Sequence, residues 1–233
     1  MNYIYESEGK TKAEAEEKAL QALGLQASDV SFKAVGPGKG ILGLVSRKPT
    51  VLRAYPLENT PLDPIIKGTA LTVIKKMGFE AAVNSVLHED ENIVVDIASE
   101  DSGILIGKRG RTLDALQFIV NLLVHSRLRN SKRIMLDIEG YRGRRQKALT
   151  RLAKSVADRV ARSGQSVLLE YMNPYERRII HLSLEEDERV TTRSDGNGLY
   201  KRVRVLPAGG ESKDYPGDDE EPPYRDDILG NER

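Results

Sequence analysis

Hydrophobic residues recur along this chain at two spacings, which divide it into short strands and helices. Alternate apolar residues, as at Ile93, Val95 and Ile97, predict a strand with one buried face. A spacing of three to four residues predicts a helix, as at Leu149, Leu152, Val156 and Val160. The two patterns alternate irregularly, so we expect an α+β protein built of small domains.

The predicted elements form three small domains and a tail. Residues 1–55 have the order β-α-β-β, and residues 62–139 have the order α-β-β-α-α-β. Residues 140–206 begin with a long basic helix, followed by a strand, a helix and two strands. Residues 207–233 are rich in Pro, Gly, Asp and Glu, a composition that predicts a disordered acidic tail.

The first domain contains a glycine-rich stretch at 36–44, between its last two strands. No helix follows it, so a tight, partly apolar turn is favoured over a phosphate-binding loop. Only about residues 56–61 separate this domain from the second, which favours packing of the first domain on the second.

The most informative motif is the Gly-x-x-Gly turn Gly107-Lys108-Arg109-Gly110, which lies between two predicted helices. Glycines permit left-handed φ angles and let a phosphate approach the backbone closely. The two cations add positive charge at the place where that phosphate would bind. The turn therefore predicts a clamp on a nucleic-acid backbone.

The charge distribution supports a polyanionic ligand. The net charge is only +1, but residues 103–147 contain eleven Lys and Arg against three Asp and Glu. Residues 207–233 contain nine acidic and three basic residues. A basic region this dense around the turn favours RNA or DNA over an acidic protein surface, although a solvated basic helix face is the alternative.

Composition excludes several other kinds of site. There are no cysteines, so disulfides, Cys-based zinc sites and thiol nucleophiles are excluded, and the three histidines are widely dispersed. No apolar run reaches the roughly 18 residues of a membrane span, and the N-terminal residues are polar. We expect a cytoplasmic protein with no membrane insertion, no metal and no cofactor.

A second motif, Arg-x-x-x-His, lies on a predicted helix of the third domain. Asn173 as N-cap, Pro174 at the first helical position and Glu176 mark the start of this helix. Arg177 and His181 are one turn apart on one face, where a phosphate could accept from both. The alternative is structural: Arg177 binds a carboxylate or carbonyls of the turn before Asn173, and His181 caps a neighbouring loop.

The opposite face of the same helix is expected to be buried. Helical spacing brings Tyr175, Ile179 and Leu182 together on that face. Tyr175 is therefore predicted to lie in the core, where it cannot stack on a base.

These motifs resemble those of known domains. The α-β-β-α-α-β order with its Gly-x-x-Gly turn resembles a KH domain of type II topology. The run 173–184 after the basic helix resembles the single-stranded nucleic-acid-binding domain named for its Arg-x-x-x-His motif. With the β-α-β-β unit, about residues 1–206 resemble the bacterial Jag family, also called KhpB.

The resemblance implies a protein that binds single-stranded RNA, with single-stranded DNA as the alternative ligand, and catalyses no reaction. Ile104, Ile106 and Leu113 would form the floor of a groove beside the turn, or simply belong to the core. Candidate RNA-binding residues come from the turn, this groove, the basic helix and the second motif: Ile104, Ile106, Gly107, Lys108, Arg109, Gly110, Arg111, Leu113, Arg144, Arg145, Arg177 and His181.

The resemblance also implies a biological role and partners. The role is a post-transcriptional regulator or RNA chaperone linked to bacterial cell elongation, shape and division. The implied partner is a small protein with a single KH domain, and self-association is also considered. The alternative role is an adaptor that recruits envelope or membrane-insertase machinery through residues 1–55. An enzyme using His181 is disfavoured, because no second titratable group is placed to complete its site.

Overall fold

The computed structural model describes residues 3–35, 49–128 and 132–209, which form two compact units. One unit contains the described residues up to Tyr141, and the other contains those from Arg142 onward. The predictions for the glycine-rich stretch 36–44 and for the tail beyond residue 209 fall outside the described residues.

The first unit has two three-stranded sheets. Its elements are β1 (Tyr5–Gly9), α1 (Lys12–Leu23), β2 (Val30–Val35), β3 (Thr50–Pro56), α2 (Leu62–Lys76), β4 (Ala82–His88), β5 (Asn92–Ala98), α3 (Ser102–Ile106), α4 (Arg111–His125) and β6 (Arg133–Ile138). The first sheet is antiparallel with the order β1-β3-β2, and the second has the order β4-β5-β6. This element order is the one that the sequence pattern predicts.

Helix α1 begins and ends at residues that are typical of helix caps. The Thr11 hydroxyl accepts a hydrogen bond from the Glu14 N–H at 3.2 Å, as expected of an N-cap. At the other end Gly24 adopts φ 64°, a left-handed angle that glycine reaches without steric cost. Polar side chains and glycine therefore fix both ends of the helix.

The two sheets of the first unit share one hydrophobic core. Buried residues of the first domain pack with buried residues of α2 and β5. The first set is Ile4, Leu25, Val30 and Ala54, and the second is Ile65, Ile66, Ile74, Ile93, Val95 and Ile97. The buried Thr60 of the short connection donates to the Asp29 carbonyl at 2.6 Å. The first domain therefore packs on the second, as the short connection favours.

The Gly-x-x-Gly turn lies in the crossover between two parallel strands. Strand β5 pairs antiparallel with β4 and parallel with β6, and Ile93, Val95 and Ile97 align with three buried residues of β6. Parallel neighbours require a long connection that returns to the same end of the sheet. Helices α3 and α4 with the turn between them make that connection.

Three polar side chains of α4 close the free edge of β6. Asn121 accepts from the Ile134 N–H at 2.9 Å and donates to its carbonyl at 2.6 Å, while Gln117 accepts from the Leu136 N–H at 3.1 Å. His125 Nε2 lies 3.2 Å from the carbonyl oxygen of Lys132. The three side chains are four residues apart on α4, a rise of about 6 Å, and the backbone groups that they bond are two residues apart along β6, about 6.6 Å. Each side chain therefore reaches one of these backbone positions.

The second unit has one antiparallel sheet with the order β7-β9-β8. Its elements are α5 (Tyr141–Ser163), whose first residue belongs to the first unit, β7 (Val167–Met172), α6 (Pro174–Leu184), β8 (Val190–Asp195) and β9 (Lys201–Pro207). Buried residues of both helices and the sheet form its core, among them Leu149, Val156, Val160, Ile180, Val203 and Val205. Because β9 includes Pro207, the strand extends one residue into the predicted tail.

Candidate nucleic-acid interface

The turn between α3 and α4 has a backbone conformation that requires glycine. Gly107 has φ 69° and ψ −176°, and Gly110 has φ 79°. Arg109 also has a positive φ of 58°. The Gly107 N–H donates to the Gly103 carbonyl at 2.9 Å, which continues the hydrogen bonding of α3 into the turn.

Packing also excludes larger residues at both glycines. A Cβ atom on Gly107 would overlap the Thr112 side chain. A Cβ atom on Gly110 would lie 2.9 Å from the Tyr141 ring, closer than carbon atoms approach without displacement. The turn therefore packs closely against Thr112 of α4 and Tyr141, and this packing requires that both positions carry no Cβ atom.

The side chains around the turn divide into exposed and buried sets. Lys108 and Arg111 are exposed and Arg109 is half-buried, so positive charge is available at the surface. Ile104 is 58% exposed beside the turn, and Ile106 is half-buried. Leu113 is completely buried, so it cannot contact RNA directly. Of the three predicted groove residues, Leu113 therefore belongs to the core, because it lies on the inner face of α4.

Helix α4 also carries an apolar outer face that the sequence analysis missed. Phe118 and Leu122 are 68% and 59% exposed, and Ile119 and Ala115 are exposed beside them. We call these four residues the α4 face. The available signal was that apolar residues cover most of the circumference of α4 outside its one polar stripe, which contains Gln117, Asn121 and His125, whereas a helix covered on one side only has a narrower apolar stripe.

The start of α6 is held by a network centred on Glu176. The Asn173 side chain accepts from the Glu176 N–H at 2.8 Å, and the Glu176 carboxylate accepts from the Asn173 N–H at 3.3 Å, as the predicted capping motif requires. The other carboxylate oxygen accepts from Arg145 Nε at 2.7 Å. Arg145 is therefore committed to a largely buried ion pair, which argues against its predicted contact with RNA, whereas Arg144 is exposed.

Arg177 and His181 bond to the protein's own groups. Arg177 Nη1 donates to the carbonyls of Met172 at 3.1 Å and Leu199 at 2.9 Å. His181 Nδ1 lies 2.6 Å from the Thr192 hydroxyl, and its Nε2 lies 3.1 Å from the Ser194 hydroxyl. The outward-facing pair predicted from the spacing is therefore half-buried, and Arg177 follows the structural alternative by binding a carbonyl before Asn173.

Burial keeps His181 neutral. Desolvation lowers the pKa of the His181 imidazole below its ordinary value of 6.5, and the nearby Arg177 guanidinium lowers it further. At pH 7 the ring is therefore predominantly neutral and offers a phosphate little positive charge. Together the two motif residues fasten α6 to the hairpin of β8 and β9.

The outer face of α6 differs from the prediction. Tyr175 and Leu182 are each 55% exposed, whereas Ile179 is buried. The prediction that Tyr175 lies in the core is wrong, because the buried arc of the helix is centred on Ile180 and includes the carboxylate of Glu176. The ion pair with Arg145 allows the Glu176 carboxylate to be buried.

The described part of the chain offers no enclosed site for a metal. It has no group of three or more His, Asp or Glu side chains that could hold an ion. Every fully buried side-chain nitrogen or oxygen in those ranges has a hydrogen-bond partner. No helix there combines the length and the apolar composition needed to cross a bilayer.

Comparison with protein families identifies three domains in the same order as the predicted ones. Residues 7–56 match the Jag N-terminus, and residues 69–138 match the KH domain of KhpA and KhpB. Residues 147–207 match the R₃H domain, which is named for its Arg-x-x-x-His motif. The Gly-x-x-Gly turn and the Arg-x-x-x-His motif each fall inside the matching domain.

Comparison with individual proteins gives the same family over most of the chain. RNA-binding protein KhpB of Clostridium symbiosum is 42% identical over 198 residues, covering 84% of this chain and 88% of that protein. RNA-binding protein KhpB of Bacillus subtilis is 32% identical over 202 residues, covering 84% and 95%. The KhpB of Lactiplantibacillus plantarum is 31% identical over 159 residues, covering 68% and 49%. This chain belongs to the KhpB family.

Proposed function

We propose that this chain binds single-stranded RNA through its KH and Arg-x-x-x-His domains and catalyses no reaction. The observation that carries the proposal is the Gly-x-x-Gly turn, where Lys108 is exposed and Ile104 lies beside it at the surface. Cations beside a glycine turn grip the phosphate backbone, and an apolar surface next to them accepts unpaired bases. The names of the relatives, all called RNA-binding proteins, support the same ligand.

Two domains on one chain strengthen a weak interaction. When one domain has bound an RNA strand, the second binds the same strand without a further loss of translational freedom. Linked contacts of this kind raise affinity by roughly 10² to 10⁴ over one domain alone where the linkage lets both engage. Sequence preference is then modest, because most of the affinity comes from contacts with the RNA sugar-phosphate backbone, which is the same in every sequence.

Salt dependence tests the proposal directly. With about four phosphates neutralised on a single strand, a plot of log K against log salt should have a slope near −3. Fluorescence anisotropy with a labelled single-stranded RNA at 50 to 300 mM KCl measures it, and a DNA oligonucleotide of the same sequence serves as competitor. Absence of binding at the lowest salt would refute RNA binding, and equal competition by DNA would make the ligand single-stranded nucleic acid in general.

We also propose that the α4 face binds a small partner protein with a single KH domain. Exposed apolar side chains at helical spacing pack well against another helix, and adjoining exposed apolar residues are typical of an interaction site. Changing Phe118 and Leu122 to Asp should abolish co-purification of the partner without lowering the melting temperature, because both side chains are exposed. Light scattering of the chain alone shows whether the same face instead mediates self-association, and unchanged capture of the partner would contradict the assignment.

The cellular role that fits these properties is a post-transcriptional regulator or RNA chaperone acting in cell elongation and division. An adaptor working through the N-terminal domain is the competing role. Crosslinking in cells, followed by sequencing of the attached RNA, separates the two. A regulator should yield a defined set of transcripts, whereas an adaptor should yield little RNA and retain its envelope partners when Lys108 is changed.

A further inference from the structure

We propose that Tyr175, Arg178 and Leu182 form a second RNA-binding surface, on which an unpaired base stacks and an adjacent phosphate is bound. We call these three residues the α6 surface. The inference rests on the proposed function, since it assumes that the ligand is RNA. It assigns direct contact to residues other than the Arg and His that give the domain its name.

The α6 surface is continuous along the helix. Its residues lie at positions i, i+3 and i+7, which share one face and span about 10 Å. Tyr175 and Leu182 are each a little over half exposed, and Arg178 lies exposed between them. A tyrosine ring, a guanidinium and an isobutyl group are thus presented together to solvent.

The chemistry of the α6 surface suits a nucleotide. A tyrosine face stacks on any base, and an arginine beside it can pair with phosphate and also contact the base through its planar guanidinium. Within residues 142–209, Arg178 makes no hydrogen bond or ion pair, whereas Arg145 and Arg177 are occupied. In this segment of α6, Arg178 is therefore the arginine available to a ligand.

Charge and size favour RNA over a protein partner. Residues 142–209 contain fifteen Lys and Arg against eight Asp and Glu, so the unit attracts a polyanion. A stable protein interface needs roughly 800 Å² from each partner. Two partly exposed apolar side chains are far too few to supply that area, but they are sufficient for one or two bases.

Arg177 and His181 act in this arrangement as positioning residues. Their bonds to Leu199, Thr192 and Ser194 fix α6 against the β8–β9 hairpin. The α6 surface lies roughly 110° around the helix from the motif residues, so its side chains are exposed beside those bonds and take no part in them. The motif thereby holds Tyr175 and Arg178 ready for RNA.

Binding measurements on the full chain test the proposal. With a fluorescein-labelled single-stranded RNA of mixed sequence, Tyr175→Ala should weaken affinity roughly tenfold, the usual effect of removing one stacked base. Tyr175→Phe keeps the ring and should remain within about twofold of wild type. Arg178→Glu should weaken binding more than Arg159→Glu, which makes the same charge change at an exposed residue of α5.

Crosslinking of the unmodified protein gives a second measurement that no folding defect can disturb. RNA containing 5-iodouridine should crosslink at Tyr175, within the tryptic peptide of residues 163–177. Crosslinks found only elsewhere, or wild-type affinity of Tyr175→Ala, would overturn the α6 surface. If the wild type itself bound no RNA, the proposed function would fail as well, so the two failures are distinguishable.

Discussion

Replacing Lys108 and Arg109 together by Asp should weaken single-stranded RNA binding by about a hundredfold, the lower range of what a linked second contact contributes. The change reverses two charges where the backbone is expected to bind. The structure should survive, because Lys108 is exposed and aspartate is one of the residues that tolerate the positive φ found at Arg109. Anisotropy titration at fixed salt measures the loss.

The matched control is the double change of Lys75 and Lys76 to Asp, which alters net charge by the same amount on α2. Both lysines are exposed, and their loss should cost little affinity beyond the general effect of charge. Circular dichroism should show the turn variant melting close to the wild type and the control melting slightly lower, because Asp in the last turn of α2 opposes the helix dipole. Equal affinities of the two double variants would remove the Gly-x-x-Gly turn from the RNA-binding surface.

Gly107→Ala should both destabilise the first unit and reduce RNA affinity. The φ and ψ values at Gly107 lie in a region accessible essentially only to glycine, and forcing another residue there costs about 1–3 kcal/mol. The added methyl group would also overlap the Thr112 side chain, so α3 and α4 would have to separate. Chemical denaturation monitored by circular dichroism gives the change in the free energy of unfolding.

Two further variants separate the effect of the φ angle at Gly107 from the effect of the contact with Thr112. Gly103→Ala lies inside α3 with open space around it, so it should be neutral or slightly stabilising, because alanine favours helix. Adding Thr112→Ala to Gly107→Ala removes the overlap with Thr112 Oγ1 but keeps the Thr112 Cβ at 2.8 Å, so it should recover only a small part of the stability and none of the part due to φ. If Gly107→Ala unfolded at the wild-type denaturant concentration, the turn would be more adaptable than its geometry indicates.

The fold was largely predictable because its signals are local. Alternation placed β5 and β6 correctly, and capping residues such as Thr11 and Asn173 marked the helix starts. The Gly-x-x-Gly turn was also local, since two glycines and two cations in four residues define it. In each case the information lies within a few residues of the feature that it determines.

The parts that sequence reasoning missed depend on distant partners. Arg177 bonds to Leu199, and Glu176 is buried because Arg145 reaches it across 31 positions of sequence. The buried arc of α6 is centred on Ile180, and Tyr175 lies at the surface. Helical periodicity shows which residues share a face, but the surrounding elements decide which face is buried.

The three side chains by which α4 closes the β6 edge have a further consequence. An open strand edge is a template on which another chain can add its own strand, the first step toward fibrils. Because Gln117 and Asn121 already bond to the outward backbone of β6, that edge offers an incoming strand few free groups. The KH domain can therefore reach a high local concentration without β6 seeding aggregation.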